Sequence, residues 1–273
     1  MTTWRLTLAW NGAAYVGWQR QAKGRSIQAV VEDALSRALG GEGVRVNASG
    51  RTDAGVHTLG QIVGFTAETH RSPEAMVAAL NQHLPPDIAA LDAAPMPPDF
   101  RPRRWVRRKL YRYRVLNRAA RCPFRDGFVW HWRQALDLDA MVAAAPALEG
   151  RHDYTSFRAQ GCGALHPVRT IEQVQVRRDG DEVHLDFVGN GFLRHQVRIM
   201  SGTLLEIGAG RRPPGELREI LEARDRARAG RTAPAHGLWL MQVELGDGPR
   251  HASGRAEAPG PGVDEEADET GEE

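Results

Sequence analysis

SGRTDAGVHT, residues 49–58, is the stretch on which the reading of this chain turns. Arg51 and Asp53 stand between Gly50 and Gly55, with His57 just beyond. Glycines suit a turn, and they also let a ligand's backbone come close. A turn does not need a guanidinium beside a carboxylate. Taken alone, Asp-Ala-Gly reads as an Asx-type turn whose carboxylate accepts nearby backbone N–H groups. A neighbouring arginine, however, favours the ionised carboxylate that a nucleophile or general base requires. The flanking runs VRVNA (44–48) and QIVGFTA (61–67) read as strands, so the motif is a loop presented by a rigid scaffold.

Working outward, WRLTLAW (4–10) alternates as a first strand and NGAAYVGWQRQ (11–21) is a loop. Ser26 is placed as the N-cap of a helix that carries Ile27, Val30, Val31, Ala34, Leu35, Ala38 and Leu39 at helical spacing. Gly40, Gly41 and Gly43 end it. Ser72-Pro73-Glu74 opens a second helix, with a serine cap, proline at N1 and an acid at the positive dipole end. Strands are predicted over 87–94 and 105–117, and a helix over 136–148 weakened late by Pro146. A hairpin follows, RTIEQVQVRR and EVHLDFVG, turning at Asp179-Gly180-Asp181. Helices over 193–208 and 214–223 and a strand over 237–245 complete the pattern. Both halves run strand, helix, strands, helix. The expected class is α+β, two similar α/β subdomains sharing a mainly antiparallel sheet with flanking helices around a central basic cleft. The boundaries are 1–104 for the N-terminal subdomain, 105–246 for the C-terminal one, and 247–273 for a disordered acidic tail.

Charge is divided unevenly. Residues 253–273 hold eight acids and one base, so the net +2 of the whole chain leaves +9 on residues 1–252. A basic body invites a nucleic-acid partner, although arginine supplies 34 of the 36 basic side chains and composition bias alone produces such a preference. No apolar run approaches the ~18 residues of a membrane span, and the N-terminus has no secretory-leader pattern. Two cysteines, Cys122 and Cys162, are too few for a disulfide framework and fit a reducing cytoplasm. Neither lysine, Lys23 or Lys109, lies in a phosphate-loop motif. The GxGxxG, GxSxG, HExxH and deaminase zinc patterns are all missing, so no cofactor and no metal is expected.

Residues 101–121, RPRRWVRRKLYRYRVLNRAAR, carry ten basic side chains and no acid. On a strand, Trp105, Arg107, Lys109, Tyr111 and Tyr113 share one face, and Arg108, Leu110, Arg112 and Arg114 the other. Arginine beside tyrosine suits phosphate binding and base stacking in extruded nucleotides. The competing reading is a solvated face whose tyrosines cover a core.

GRTDAGVH (50–57) resembles the signature of the tRNA pseudouridine synthase A family. The resemblance extends through NGAAYVGWQRQ, SIQAVVEDAL, GQIVGF (60–65), LPPDIA, PPDFRPR (97–103), RKLYRYRV (108–115), GRHDYTSFR (150–158), GNGFLRHQVRIMSGTLLEIGAG (189–210) and TAPAHGLWLMQV (232–243), about residues 4–245 in all. The chain departs from the family pattern at Asn11, Thr58, Gln196, Ile199 and Trp239, none of which touches the signature carboxylate.

The resemblance implies a cofactor-free isomerase that converts uridine to pseudouridine at positions 38, 39 and 40 of the tRNA anticodon stem-loop. Asp53 matches the catalytic aspartate, and whether it attacks the sugar or the base stays open. Tyr111 matches the tyrosine that packs on the target base. Arg198 matches a partner of the carboxylate, four residues after Arg194 on the predicted helix. Arg51 matches the residue that fills or supports the space left by an extruded nucleotide, although an arginine beside a turn can equally bind phosphate. His57 and His195 are assigned no chemistry. The family also implies tRNA as partner and a homodimer, while the composition already argues for the cytoplasm and against a membrane. Two other readings compete, a tRNA-binding module without activity and, far behind, an aspartate-based hydrolase of small molecules.

Overall fold

Strand β1 (Thr2–Trp10) buries Trp4, Leu6, Leu8 and Trp10, every second residue, as its alternation requires. This apolar face is covered by α1 (Ile27–Leu39) and α2 (Pro73–Asn81). Both helices start where their caps place them: Ser26 accepts the Ala29 N–H at 3.3 Å and Ser72 that of Ala75 at 3.2 Å. Gly40 closes α1 in the left-handed conformation, φ +69°. The computed structural model describes residues 1–41 and 43–249; most of the acidic tail expected over 247–273 lies outside the described residues.

Among the described residues nine further strands join β1: β2 (Asn47–Ala48), β3 (His57–Ala67), β4 (Ile88–Met96), β5 (Val106–Asn117), β6 (Trp130–Trp132), β7 (Gly150–Asp153), β8 (Val168–Asp179), β9 (Glu182–Gly189) and β10 (Leu238–Leu245). The sheet runs β4-β1-β3-β10-β5-β9-β8-β7, with β2 on β3 and β6 on β5. All pairings are antiparallel except β3 with β10 and β5 with β6. The remaining helices are α3 (Pro102–Trp105), α4 (Leu138–Ala144), α5 (Gln196–Gly208) and α6 (Glu216–Ala223). The chain is thus α+β on one large, mainly antiparallel sheet.

The interior forms two apolar clusters. One gathers β1, β3, β4, α1 and α2; the other gathers β5, β8, β9, β10, α4, α5 and α6, together with Val56, Ile62 and Phe100 from the N-terminal half. Between them, β3 and β10 pair at only His57–Trp239 and Thr58–Leu240. Side chains reinforce that short seam. Thr58 Oγ1 donates to the Leu240 carbonyl at 2.9 Å. His57 stacks on Trp239 with ring centroids 4.5 Å apart. Its Nδ1 accepts the Gly12 N–H at 3.1 Å and its Nε2 lies 2.9 Å from the Gly127 carbonyl. Those two partners fit only the neutral ring with its proton on Nε2.

Several boundaries move from their predicted places for local reasons. The helix predicted over 136–148 stops at Ala144, where Pro146 forces a 3-10 turn over Ala145–Leu148. The strand predicted from Trp105 begins at Val106, because Pro102 at the first helical position starts a short helix. Of the strand predicted over 44–48 only β2 pairs. Helix α5 starts at Gln196 rather than 193 and is buried nearly all round, instead of on one face. The segment after residue 228 covers its second side: a Cβ on Gly202 would stand 1.9 Å from the Arg231 carbonyl oxygen.

Two outcomes are expected. A Cβ on Gly12 would lie 2.1 Å from the Val56 carbonyl oxygen, a backbone atom that cannot step aside. Gly12→Ala is therefore expected to cost about 1–3 kcal/mol in chemical denaturation. The second concerns pH. Burial lowers the His57 pKa below its ordinary value of 6.5, so the unfolded chain binds the proton more readily. Its contribution is present above pH about 6.5 and is lost as pH falls below that value. For Glu182, burial opposes ionisation, but His184 and Arg114 outweigh it and bring the carboxyl to about 2, so its contribution is lost only between pH about 4.5 and 2. Denaturation midpoints should drop first below neutral pH, a step that His195 and His236, also lowered by burial, share; His57→Gln should make it shallower while leaving the second.

Candidate active site

The loop carrying Asp53 is held chiefly through its backbone. Gly17 and Asp53 form an isolated antiparallel bridge, and the Trp18 N–H reaches the Thr52 carbonyl at 3.1 Å. Gly17 sits at φ +107°, and a Cβ there would meet Thr52 O at 2.6 Å, which is why glycine is needed. Trp10 Nε1 donates to the Val56 carbonyl at 3.2 Å. Gly55 turns the chain at φ +77° while the Val56 N–H closes onto Asp53 O at 3.2 Å. On the other flank, Gln61 Nε2 donates to Gly50 O at 2.6 Å and Lys109 Nζ to Ser49 O at 2.8 Å. Lys109 is buried, and a Cβ on Gly50 would fall 2.3 Å from its Nζ.

The Asp53 side chain is 26 % exposed, so its carboxylate can be reached from outside. Arg198 Nη1 and His195 Nε2 each stand 3.5 Å from the same oxygen, Oδ2. Arg198 is clamped from behind: its Nε donates to the Ala233 carbonyl at 2.8 Å and its own carbonyl accepts the Ala233 N–H at 3.1 Å. Tyr111 of β5 is only 8 % exposed and meets Phe192 edge-on at 5.2 Å. Burial, and secondarily the Asp53 charge, push its phenol above the ordinary value. An accessible carboxylate thus stands near the Tyr111 phenol, with a guanidinium and an imidazole on one of its oxygens.

The structure sorts the expected residues. Asp53, Arg198 and Tyr111 come together from the signature loop, α5 and β5. Arg51 does not join them; it is exposed, and the cation beside the carboxylate is Arg198, far away in sequence. Arg194 precedes α5 instead of sharing its face, and its Nη1 contacts the Gly161 carbonyl at 3.3 Å. His195, assigned no chemistry from sequence, touches Asp53. Helical spacing gave no signal for it, because it precedes α5 in a left-handed turn. Lys109 was also missed as a support of the loop.

The basic strand is less free than its charge suggests. Arg112 grips Asp186 with two bonds of 2.7 and 2.8 Å, and Arg114 grips Glu182 with two of 2.8 Å. Arg108 pairs with Glu244 at 2.5 Å. Tyr113 is fully buried, its hydroxyl donating to the Pro234 carbonyl at 2.8 Å. That half of the competing reading holds: the tyrosines line the core side, and carboxylates of β9 and β10 neutralise much of the opposite face. Surface depressions of about 420 and 430 Å³ lie along α1, and Asp53 lines neither. Among the described residues, no three His, Cys, Asp or Glu side chains gather as metal ligands.

Residues 9–103 and 144–244 match the tRNA pseudouridine synthase family. A Myxococcus xanthus protein named tRNA pseudouridine synthase A is 47 % identical over 266 residues, 97 % of this chain and 98 % of its own. Proteins of the same name from Pelobacter propionicus and Acidiphilium cryptum are 46 % and 47 % identical, each covering 89 % of this chain and 99 % and 96 % of their own lengths. On the strength of these matches over nearly its full length, and of the motif-bearing loop, strand and helix that meet at Asp53, this chain belongs to the tRNA pseudouridine synthase A family.

Proposed function

We propose that this protein isomerises uridine to pseudouridine in tRNA, at positions 38, 39 and 40 of the anticodon stem-loop, with Asp53 as the catalytic carboxylate. The observation that carries the reading is the reachable Asp53 side chain, held at one oxygen by Arg198 and adjoining Tyr111. The reaction breaks the N1–C1′ bond, turns the uracil and joins C5 to C1′. C5 then loses its proton and N1 gains one, so atoms balance without an external oxidant or energy source. Every version of this chemistry, attack on the sugar, attack on the base or support of a sugar cation, needs an anionic oxygen within reach of the nucleoside.

Tyr111 and Phe192 supply a surface on which a flipped uracil packs. In this reading Arg51, exposed on the same loop as Asp53, enters the space that the uridine vacates. Arg198 holds the carboxylate's orientation. A uridine in a stem must leave its stack to arrive here, so the enzyme recognises RNA shape through its phosphates. The same reading makes the protein a cytoplasmic homodimer and divides it at 104/105, supported by one apolar cluster that lies wholly before the division and a second drawn mostly from after it.

Incubation with a tRNA transcript tritiated at uracil C5 tests the chemistry, because isomerisation releases the label to water. Wild-type protein should release it; Asp53→Asn should bind tRNA with undiminished affinity and release none. Turnover by the asparagine variant would remove Asp53 from the mechanism, and a silent wild type would remove the activity. Phosphate recognition also predicts that tRNA affinity falls by more than about tenfold between about 50 and 200 mM salt, measurable by filter binding.

A further inference from the structure

The backbone at His195 is unusual. Among the described residues only His195 and Arg224 hold a positive φ without being glycine, and His195 sits at φ +60°, ψ 4° immediately before α5. The Gln196 N–H closes a turn onto the Leu193 carbonyl at 3.0 Å, leaving His195 at the turn position normally given to glycine or asparagine. A histidine there carries steric strain. Surrounding bonds enforce it. Gln196 Oε1 accepts the Leu193 N–H at 2.7 Å, the Ile199 N–H meets the His195 carbonyl at 2.9 Å, and the Arg194 carbonyl accepts the Ala159 N–H at 3.1 Å. The side chain makes no cap bond to its own helix. Instead its Nε2 lies 3.5 Å from Asp53 Oδ2, the oxygen that Arg198 also addresses.

We propose that His195 is a positioning residue for Asp53: the neutral imidazole and Arg198 together hold Oδ2, which leaves Oδ1 turned to the nucleoside. The inference rests on Asp53 being the catalytic carboxylate. Strain is retained at a position over-determined by its neighbours, and here it aims a ring at the reacting group. The ring's charge matters as much as its place. Asp53 and Arg198 face it, Arg194 stands on its own turn, and Arg226 adds to the surrounding positive field. Burial, with those arginines outweighing the attraction of Asp53, keeps the imidazole below its ordinary value and therefore neutral at neutral pH. Once protonated, it forms a second cation on Oδ2. The carboxylate is then held by two ion pairs, and its capacity to attack or to stabilise positive charge falls.

Single-turnover rates of tritium release from C5-tritiated tRNA, with the full chain in saturating excess, decide the matter between pH 5 and 9. Wild type should lose rate on the acid side with a midpoint at or below about 6.5. His195→Asn and His195→Gly both accept the left-handed backbone, so both should fold and bind tRNA as wild type does. Each should react about 10–100-fold more slowly at pH 8, as expected for a misaimed reacting group, and each should lose the acid limb. If both variants keep the wild-type rate and limb, or slow without any change in pH profile, His195 merely shapes the turn and the proposal is wrong. A wild type that releases no label while binding tRNA would overturn the reading of Asp53 and this inference with it.

Discussion

The backbone bridge between Gly17 and Asp53 is the contact on which the site depends. A carboxylate on a free loop would sample many orientations, and ordering each backbone residue costs about 1–2 kcal/mol. Here the cost is met within the fold. Residues 12–18 lie so close against 52–56 that Gly12 and Gly17 have no space for a Cβ. Trp10, whose ring stacks on Trp18 at 5.6 Å, ties the same loop to the first apolar cluster, while Val56 belongs to the second. Asp53 is fixed between the two clusters, which is the preorganisation that its proposed catalytic role needs.

Local chemistry made much of this legible in the sequence. The Ser26 and Ser72 caps, the Gly40 stop, the kink at Pro146 and the tight hairpin at Gly180-Asp181 each follow from one or two residues and their immediate neighbours. The departures from the family pattern obey the same logic. Asn11 accepts the Ala13 N–H at 3.1 Å to cap a 3-10 turn, a task any short side-chain oxygen performs. Gln196 bonds the Leu193 N–H, Thr58 reinforces the β3–β10 seam, and Trp239 both stacks on His57 and donates from Nε1 to Phe128 O at 3.0 Å. Ile199 is simply core.

Local patterns alone do not reach partners distant in the chain: Arg198 is expected beside Asp53 only through the family resemblance, and His195 not at all. The convergence of Arg198 and His195 on Asp53 spans more than a hundred residues. Arg51 lies two residues before Asp53 and, read locally, favours its ionised form, yet closeness along the backbone says little about where side chains point in a loop. His195 was invisible for another reason. A helical reading of 193–208 places it inside a regular turn, whereas a left-handed residue starts the helix late and redirects the imidazole. Single-sequence periodicity carries no sign of that break.

Strand β5 shows how one stretch serves two purposes. Successive side chains alternate between faces, so Lys109, Tyr111 and Tyr113 point to the loop and core, while Arg112 and Arg114 point the other way. Across the sheet Tyr111 sits in register with Leu240 and Phe187, and Arg112 with Trp239 and Asp186. The arginines therefore meet carboxylates and an indole, Arg114 lying 5.3 Å over the Trp239 ring, and act as structural ties. A slip of one residue would exchange the two sets, putting guanidinium groups into the apolar cluster and a phenol among the carboxylates. The ion pairs on the outer face and the buried tyrosines on the inner face each penalise that slip. Much of the charge that makes this segment look like an RNA surface instead fixes the register that brings Tyr111 beside Asp53.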